Sequence, residues 1–134
     1  MKIENVEVRD IAEKFGTPVY VYSLEILRVS IGEIKKLAPV TRYAMKANSN
    51  VRILKEMLDN GVKIDAVSIF EVQRAVRTGF KTDDICFTSD VFFNDGDVKF
   101  CLENNIYCNC GTLGMVEEYG KALKTMGTGS PKIS

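Results

Sequence analysis

The sequence contains no histidine, and its cysteines are not spaced as metal ligands or as a dithiol redox motif. The cysteines are Cys86, Cys101, Cys108 and Cys110. No C-x-x-C pair occurs among them, and without histidine no mixed cysteine and histidine site can be completed. We therefore expect no metal site, and we interpret the four cysteines as reduced, small hydrophobic residues.

Long hydrophobic runs and an excess of either charge are also missing. No apolar stretch approaches the ~20 residues that span a bilayer, and the first five residues lack the apolar core of a secretion signal. The 18 lysine and arginine residues balance 18 aspartate and glutamate residues, so no basic surface for nucleic acid or an anionic membrane is indicated. We therefore expect a cytoplasmic protein that binds neither nucleic acid nor membranes.

The residues that are present follow a regular alternation. The chain is 46% hydrophobic and 27% charged, which is enough for one globular core. Short strand-like runs alternate four times with stretches of helical apolar spacing, at a period of about 20 to 24 residues. This order predicts an α/β fold with a parallel sheet. The missing G-x-G-x-x-G motif disfavours a dinucleotide-binding sheet, but the order alone does not separate a doubly wound sheet from a barrel.

The predicted elements are bounded by glycine, proline and capping residues. Helices are predicted at residues 6–15, 24–37, 51–60, 68–77, 95–104 and 112–124. Strands are predicted at residues 19–22, 41–45, 62–67, 85–88 and 106–109, and residues 132–134 look like the opening of one more strand.

The octapeptide YAMKANSN, residues 43–50, ends a strand-like run in a single lysine, Lys46. Alternation along a strand would put Lys46 on the face of Ala44 and opposite to Tyr43 and Met45. The ANSN segment then breaks the strand and supplies helix-capping residues. A lysine at the carboxyl end of a strand lies where barrel enzymes place their chemistry, although the same spacing fits a lysine that simply extends into solvent.

The octapeptide resembles the cofactor-lysine motif of the alanine-racemase-like, fold-type III pyridoxal-phosphate enzymes. Within them it is most similar to the decarboxylase branch, and to the diaminopimelate decarboxylases in particular. Residues 6–22 also resemble the opening of these decarboxylases, with a short helix, a Gly-Thr-Pro turn and an extended run. The resemblance implies that Lys46 binds pyridoxal 5'-phosphate covalently. Lysine suits that role because its amine loses a proton readily when desolvated and can then attack an aldehyde.

A second stretch, residues 61–71, carries the D-x-x-S-x-x-E pattern of this family. The resemblance implies that Asp65 lies close to the cofactor ring and the lysine, that Ser68 borders the pocket, and that Glu71 lies near the lysine. Ser68 and Glu71 also have the spacing of a capping box, and the two roles of Glu71 are compatible. Asp65 could instead be a plain carboxylate at a strand end. An isoleucine and a phenylalanine replace the family's usual small residues before Glu71.

The residues after the third predicted barrel strand depart from the family pattern. Thr88, Ser89 and Asp90 take the place of a threonine, glycine and asparagine run that lines the cofactor pocket in these decarboxylases. Only the threonine is retained. The three residues therefore fit a polar surface loop as well as a pocket lining.

The resemblance favours the (β/α)8 barrel among the α/β folds. Such a barrel takes eight βα units in about 250 residues, whereas about four units are recognisable here. We therefore expect the N-terminal part of a pyridoxal-phosphate-binding (β/α)8 TIM barrel. Residues 1–22 would form a helix and strand that precede the barrel, and residues 23–134 its truncated first half. An unrelated α/β domain that is complete at this length is the alternative.

The resemblance implies that the full-length protein is a carboxy-lyase of lysine biosynthesis. It would decarboxylate a small diamino acid, meso-diaminopimelate, to L-lysine, and would act as a homodimer. Decarboxylation of ornithine, arginine or carboxynorspermidine within the same family, and a non-catalytic regulatory relative, are the alternatives. Retention of Lys46 favours an enzyme. The family's histidine, phosphate loop and partner-subunit residues do not occur up to Ser134, so we expect the piece by itself to be inactive.

Overall fold

A computed structural model of the chain describes residues 1–89, 95–127 and 131–134. Its backbone forms two compact units, Met1–Pro39 and Val40–Ser134. The division predicted from the sequence, at residue 22, separates what precedes the barrel from the barrel itself, and it stays a prediction. Among the described residues, no helix combines the length and the apolar character that crossing a bilayer requires.

The first unit contains a small antiparallel sheet and two helices. Its elements are β1 (Lys2–Ile3), β2 (Val6–Glu7), α1 (Val8–Phe15) and α2 (Leu24–Lys35). Helix α1 begins two residues later than predicted because Val6 and Glu7 pair with β1. Helix α2 begins as predicted, since the hydroxyl oxygen of Ser23 accepts a hydrogen bond from the Ile26 backbone N–H at 3.1 Å.

The strand predicted at residues 19–22 was wrong. These residues are valines and tyrosines with high strand propensity, yet they form no strand and are exposed. A strand is stabilised by backbone hydrogen bonds to a neighbour, and no described strand pairs with this segment. Side-chain propensity alone therefore does not make the segment a strand.

The second unit is built from four βα units in chain order. The strands are β3 (Arg42–Ala44), β4 (Lys63–Ala66), β5 (Ile85–Ser89) and β6 (Tyr107–Cys110), and the helices are α3 (Val51–Asp59), α4 (Ile69–Thr78), α5 (Asp95–Glu103) and α6 (Leu113–Met126). Each strand is parallel to the next, in the order β3-β4-β5-β6. Ile133 adds an isolated parallel bridge to Cys108, within the stretch 132–134 that the sequence predicts as the opening of a further strand.

One face of this sheet is almost entirely apolar. Alternation along the strands brings together residues that are no more than 1% exposed: Ile64, Ala66, Ile85, Phe87 and Cys108. Helix α4 packs on β4 and β5, and α6 packs on β6. The helices contribute the buried side chains of Leu54, Val72, Ala75, Cys101 and Met115. Each fully buried large aliphatic side chain stabilises the fold by roughly 1.5–3 kcal/mol, which makes this layer the core.

The other face of the sheet is polar. Near the start of the strands, Arg42 Nη1 donates hydrogen bonds to the carbonyl oxygens of Ile64 and Asp84, both at 3.2 Å. The Lys63 ammonium lies 2.9 Å from the Asp84 carboxylate. In a closed (β/α)8 barrel the face that points away from the helices lines the barrel interior. These contacts therefore tie β3, β4 and the start of β5 together on the side where the interior of the barrel would lie.

Candidate active site

The carboxyl ends of the four parallel strands share one edge of the sheet, which we call the carboxyl edge. The last residues of β3, β4, β5 and β6 lie there. Asn50, Ser68 and Thr112 cap the helices that follow β3, β4 and β6, and each side chain accepts a hydrogen bond from a backbone N–H in the first turn. The turns that follow β3, β4 and β6 at the carboxyl edge are therefore short and polar, as at the catalytic end of barrel enzymes.

Lys46 lies at the carboxyl edge, but it is not part of the strand. Strand β3 ends at Ala44. Ala44 pairs with Asp65, and this is the last pair between β3 and β4. Met45–Ala47 forms a 3₁₀ turn, so the strand predicted to reach Met45 is one residue too long and the alternation predicted for Lys46 was wrong. Met45 has no exposed surface and anchors the turn in the core, whereas Lys46 is exposed.

The turn that carries Lys46 is held by polar side chains around it. The hydroxyl group of Tyr43 donates to the carbonyl oxygen of Asn48 at 3.0 Å. The side-chain oxygen of Asn48 accepts from the Asn50 N–H at 2.9 Å, and that of Asn50 accepts from the Arg52 N–H at 2.9 Å. These bonds confirm the predicted capping role of the ANSN segment. Within the described ranges, Lys46 itself makes no hydrogen bond or ion pair, so its amine is available to a ligand.

The Asp65 carboxylate lies at the carboxyl edge, and its position is fixed by the sheet and by a hydrogen bond. It lies on β4 in register with Ala44 on one side and Cys86 on the other. Its Oδ1 accepts a hydrogen bond of 2.6 Å from the hydroxyl group of Thr88, on the neighbouring strand β5. The sequence predicted Thr88 and Ser89 as part of either a polar surface loop or a pocket lining; both lie within β5, so the loop prediction was wrong for these two residues. The contact depends on the register of β4 and β5, which pairs Asp65 with Cys86 and brings Thr88, two residues further along β5, within reach. Asp90, predicted with Thr88, lies outside the described residues.

Ser68 and Glu71 cap the start of α4 much as predicted, except that Glu71 accepts from the N–H of Val67, the residue before the cap, and not from that of Ser68. The Ser68 hydroxyl oxygen accepts from the Glu71 N–H at 3.3 Å, and Oε2 of Glu71 accepts from the Val67 N–H at 2.8 Å. Capping therefore engages one carboxylate oxygen of Glu71. The predicted roles of Ser68 and Glu71 toward the cofactor are compatible with this arrangement and stay predictions.

One contact at the carboxyl edge has no counterpart in the sequence-based prediction. Nη1 of Arg74, on α4, lies 3.2 Å from the carbonyl oxygen and 3.1 Å from the hydroxyl oxygen of Ser49. Ser49 belongs to the segment that follows Lys46. Because 25 residues separate the two partners, no local pattern in the sequence indicates the contact.

The four cysteines are free thiols, as predicted. Burial raises the pKa of Cys86, which lies in the same row of the sheet as Asp65. A hydrogen bond with the Cys101 thiol, together with burial, raises the pKa of Cys108, and burial raises that of Cys110. In the described ranges no group of three cysteine, aspartate or glutamate side chains is arranged to hold a metal ion.

The family is decided by a match that covers most of the chain. A family model described as the pyridoxal-binding domain of pyridoxal-dependent decarboxylases matches residues 27–129. The chain belongs to this family. It is 38% identical over 112 residues to the diaminopimelate decarboxylase of Escherichia coli (strain K12), which covers 81% of this chain and 26% of that enzyme. The chain thus spans about a quarter of the length of that curated relative.

Solved structures confirm the predicted fold class. A crystal structure of a protein from Aquifex aeolicus matches 99% of this chain and 34% of its own, with a TM-score of 0.90 and 25% identity. The diaminopimelate decarboxylase from Helicobacter pylori, solved in complex with L-lysine, matches 92% of this chain and 32% of its own, with a TM-score of 0.83 and 25% identity. The four βα units are thus an N-terminal part of a pyridoxal-phosphate-binding TIM barrel.

The residues at the carboxyl edge fit the cofactor of this family, pyridoxal phosphate. Attachment of an aldehyde requires a primary amine that is not engaged elsewhere, and the exposed Lys46 meets that requirement within the described ranges. The Asp65 carboxylate is fixed by Thr88, so it can act on a charged group beside it without first reorienting.

Proposed function

We propose that the protein carrying this chain is a pyridoxal-phosphate-dependent decarboxylase that converts meso-diaminopimelate to L-lysine. Membership of the decarboxylase family supports the class of reaction. The names of the relatives support the substrate, and the L-lysine bound to the Helicobacter pylori enzyme supports the product. The observation that carries the proposal is the position of Lys46, an unengaged amine within the family motif at the carboxyl edge of a parallel sheet.

Lys46 has two tasks in this reaction. Its Nζ would hold the cofactor covalently before the substrate binds. Bound pyridoxal phosphate supplies an electron sink for the electron pair that stays on the α-carbon when the carboxylate leaves as carbon dioxide. The Lys46 ammonium would be placed to deliver a proton to that carbon in place of the lost carbon dioxide, and its Nζ would take back the bond to the cofactor as the amine product leaves.

Asp65, Ser68 and Glu71 form the rest of the proposed site. The Asp65 carboxylate, held by Thr88, would stabilise positive charge on the cofactor ring and on the nearby Lys46 amine. Ser68 and Glu71 would border the cofactor from the start of α4, where capping already fixes their orientation. Fixed donors and acceptors stabilise developing charge without reorganisation, which is why we assign the site to this ordered edge.

Borohydride reduction tests the assignment of Lys46. We expect the protein, incubated with pyridoxal phosphate and reduced, to gain one cofactor mass on the peptide that contains Lys46. Lys46→Ala should lose this label, whereas Lys55→Ala, which removes an exposed lysine of α3 that is paired with Asp59, should keep it. Release of carbon dioxide from diaminopimelate, compared with ornithine, arginine and carboxynorspermidine, tests the substrate. Labelling of a different lysine in the wild-type protein would overturn the proposal.

The proposal includes a cytoplasmic homodimer. Three large apolar side chains at the first or second position of a helix on the carboxyl edge are strongly exposed: Val51 at 55%, Phe70 at 78% and Leu113 at 84%. We call these three residues the apolar rim. Large exposed apolar side chains at the starts of neighbouring helices offer a surface that another protein surface can cover. The apolar rim therefore supports the second copy that the family resemblance implies.

A further inference from the structure

We propose that Arg74 is a positioning residue for Lys46, acting through the segment that follows the lysine. The inference rests on the proposed function, because it concerns how the amine is presented to the cofactor. Its physical basis is the pair of hydrogen bonds that Nη1 of Arg74 donates to the carbonyl and hydroxyl oxygens of Ser49, at 3.2 and 3.1 Å. A guanidinium group suits this task because its donors are held in a rigid plane.

Arg74 and Tyr43 hold the Lys46 segment at neighbouring residues. Tyr43, on β3, donates to the carbonyl oxygen of Asn48, and Arg74, on α4, donates to Ser49. One contact comes from the strand that precedes the turn, and the other comes from the helix of the next βα unit. The segment is therefore fixed relative to two different elements of the barrel, and Arg74 supplies the hydrogen bonds that join α4 to Ser49.

The amine depends on this support because polar contacts of its own do not orient it. Within the described residues no hydrogen bond or ion pair holds its Nζ, so the path of the backbone from Met45 to Asn50 determines where the side chain starts. Misplacement of a reacting group by about 1 Å can cost on the order of 100-fold in rate. Arg74 is also on the helix that begins with Ser68 and Glu71, so it couples the two proposed halves of the site.

The test compares Arg74→Ala with Arg77→Ala in the natural protein that carries this chain. Arg77 is an exposed arginine one turn further along α4, and its side chain makes no hydrogen bond or ion pair within the described ranges. Arg77→Ala therefore causes the same change in charge and in helix propensity as Arg74→Ala without removing a contact. Without cofactor, we expect Arg74→Ala to speed amide hydrogen exchange at residues 47–50 by about tenfold and to leave other segments unchanged. Arg77→Ala should match the wild-type protein.

Cofactor binding gives the second measurement. We expect Arg74→Ala to need a roughly tenfold higher cofactor concentration for half-maximal borohydride labelling of Lys46. Arg74→Lys should recover part of this loss, because an ammonium group also offers several donors but lacks the rigid plane of the guanidinium group. Ser49→Ala, which removes one of the two acceptors, should give a smaller effect, and it should add nothing to Arg74→Ala.

The outcomes separate this inference from the proposed function. If the wild-type protein is not labelled at Lys46, both are overturned. If it is labelled, but Arg74→Ala matches Arg77→Ala in exchange and in cofactor binding, only the positioning role is overturned. If Arg74→Ala does not fold, Ser49→Ala and Arg74→Lys test the positioning role of Arg74 instead. The positioning role of Arg74 would be contradicted if Ser49→Ala exchanged amide hydrogen at residues 47–50 at the wild-type rate. It would also be contradicted if Arg74→Lys folded and kept both hydrogen bonds to Ser49 but lost labelling at Lys46.

Discussion

At the scale of single residues, Thr88 controls the orientation of Asp65. We expect Thr88→Val, which keeps the shape of the side chain but removes the donor, to lower the free energy of unfolding by about 1 kcal/mol. It should also weaken cofactor binding, because the freed carboxylate can rotate away from its present position. Thr88→Ser keeps the hydroxyl group and serves as the control. Denaturant unfolding and cofactor titration measure the two effects, and equal cofactor affinity in the two variants would contradict the assigned role of Asp65.

The thiols give a second prediction at this scale. Burial raises the pKa of Cys86 above the value of about 8.5 that a thiol has in the unfolded chain. The folded state therefore binds more protons than the unfolded state above that pH, so this contribution to stability is complete below about pH 8.5 and declines as the pH rises further. Pulsed alkylation near pH 9 should modify the partly exposed Cys110 first, and the buried Cys86 and Cys108 only as the protein unfolds. Rapid labelling of Cys86 in the folded protein would refute this order.

At the scale of secondary-structure elements, substitutions at the start of α4 can distinguish helix capping from a role in cofactor binding. Glu71→Gln keeps a side-chain oxygen that can accept from the Val67 N–H, so the free energy of unfolding should change by only a few tenths of a kcal/mol. The same substitution removes the negative charge and should weaken cofactor binding if Glu71 lies near Lys46. Ser68→Ala, which removes a cap, should cost about 1 kcal/mol of stability. Unchanged cofactor affinity in Glu71→Gln would leave Glu71 only its capping role.

The elements that could be predicted from the sequence are those that local chemistry determines. The order of the four βα units followed from alternating periodicities, and the starts of α2, α3 and α4 followed from Ser23, Asn50 and Ser68. The strand predicted at residues 19–22 was wrong. Its side chains favour a strand, but the sequence of the segment does not show whether a neighbouring strand pairs with it. The end of β3 was misplaced for the same reason, since pairing with β4 stops at Ala44.

The contacts of the candidate site were harder to predict than its residues. Lys46, Asp65, Ser68 and Glu71 were found through the family motifs, and their proposed roles toward the cofactor stay predictions. The hydrogen bonds from Thr88 to Asp65 and from Arg74 to Ser49 join residues 23 and 25 positions apart on different elements. Such pairs depend on the register of the sheet and the placement of a helix on it, which no short stretch of sequence specifies.

At the scale of the whole molecule, the apolar rim should control self-association. Phe70 is 78% exposed, so Phe70→Ser should change the free energy of unfolding little, but it should weaken the proposed homodimer. Val76→Ser alters another exposed apolar residue of α4, in the last turn and away from the carboxyl edge, and it is the control. Sedimentation velocity over a range of concentrations measures both variants. A wild-type protein that stays monomeric, or a dimer that Phe70→Ser leaves intact, would contradict this part of the proposal.

The burial of Met45 beside Lys46 has a consequence for oxidative damage. A thioether with no exposed surface cannot meet peroxide while the second unit stays folded. Once oxidised, the side chain would bring a polar sulfoxide into the core, and the turn that presents Lys46 would lose its anchor. The rate at which oxidants inactivate the protein through Met45 should therefore follow how often the core opens, and reagents that only reach the carboxyl edge should spare it.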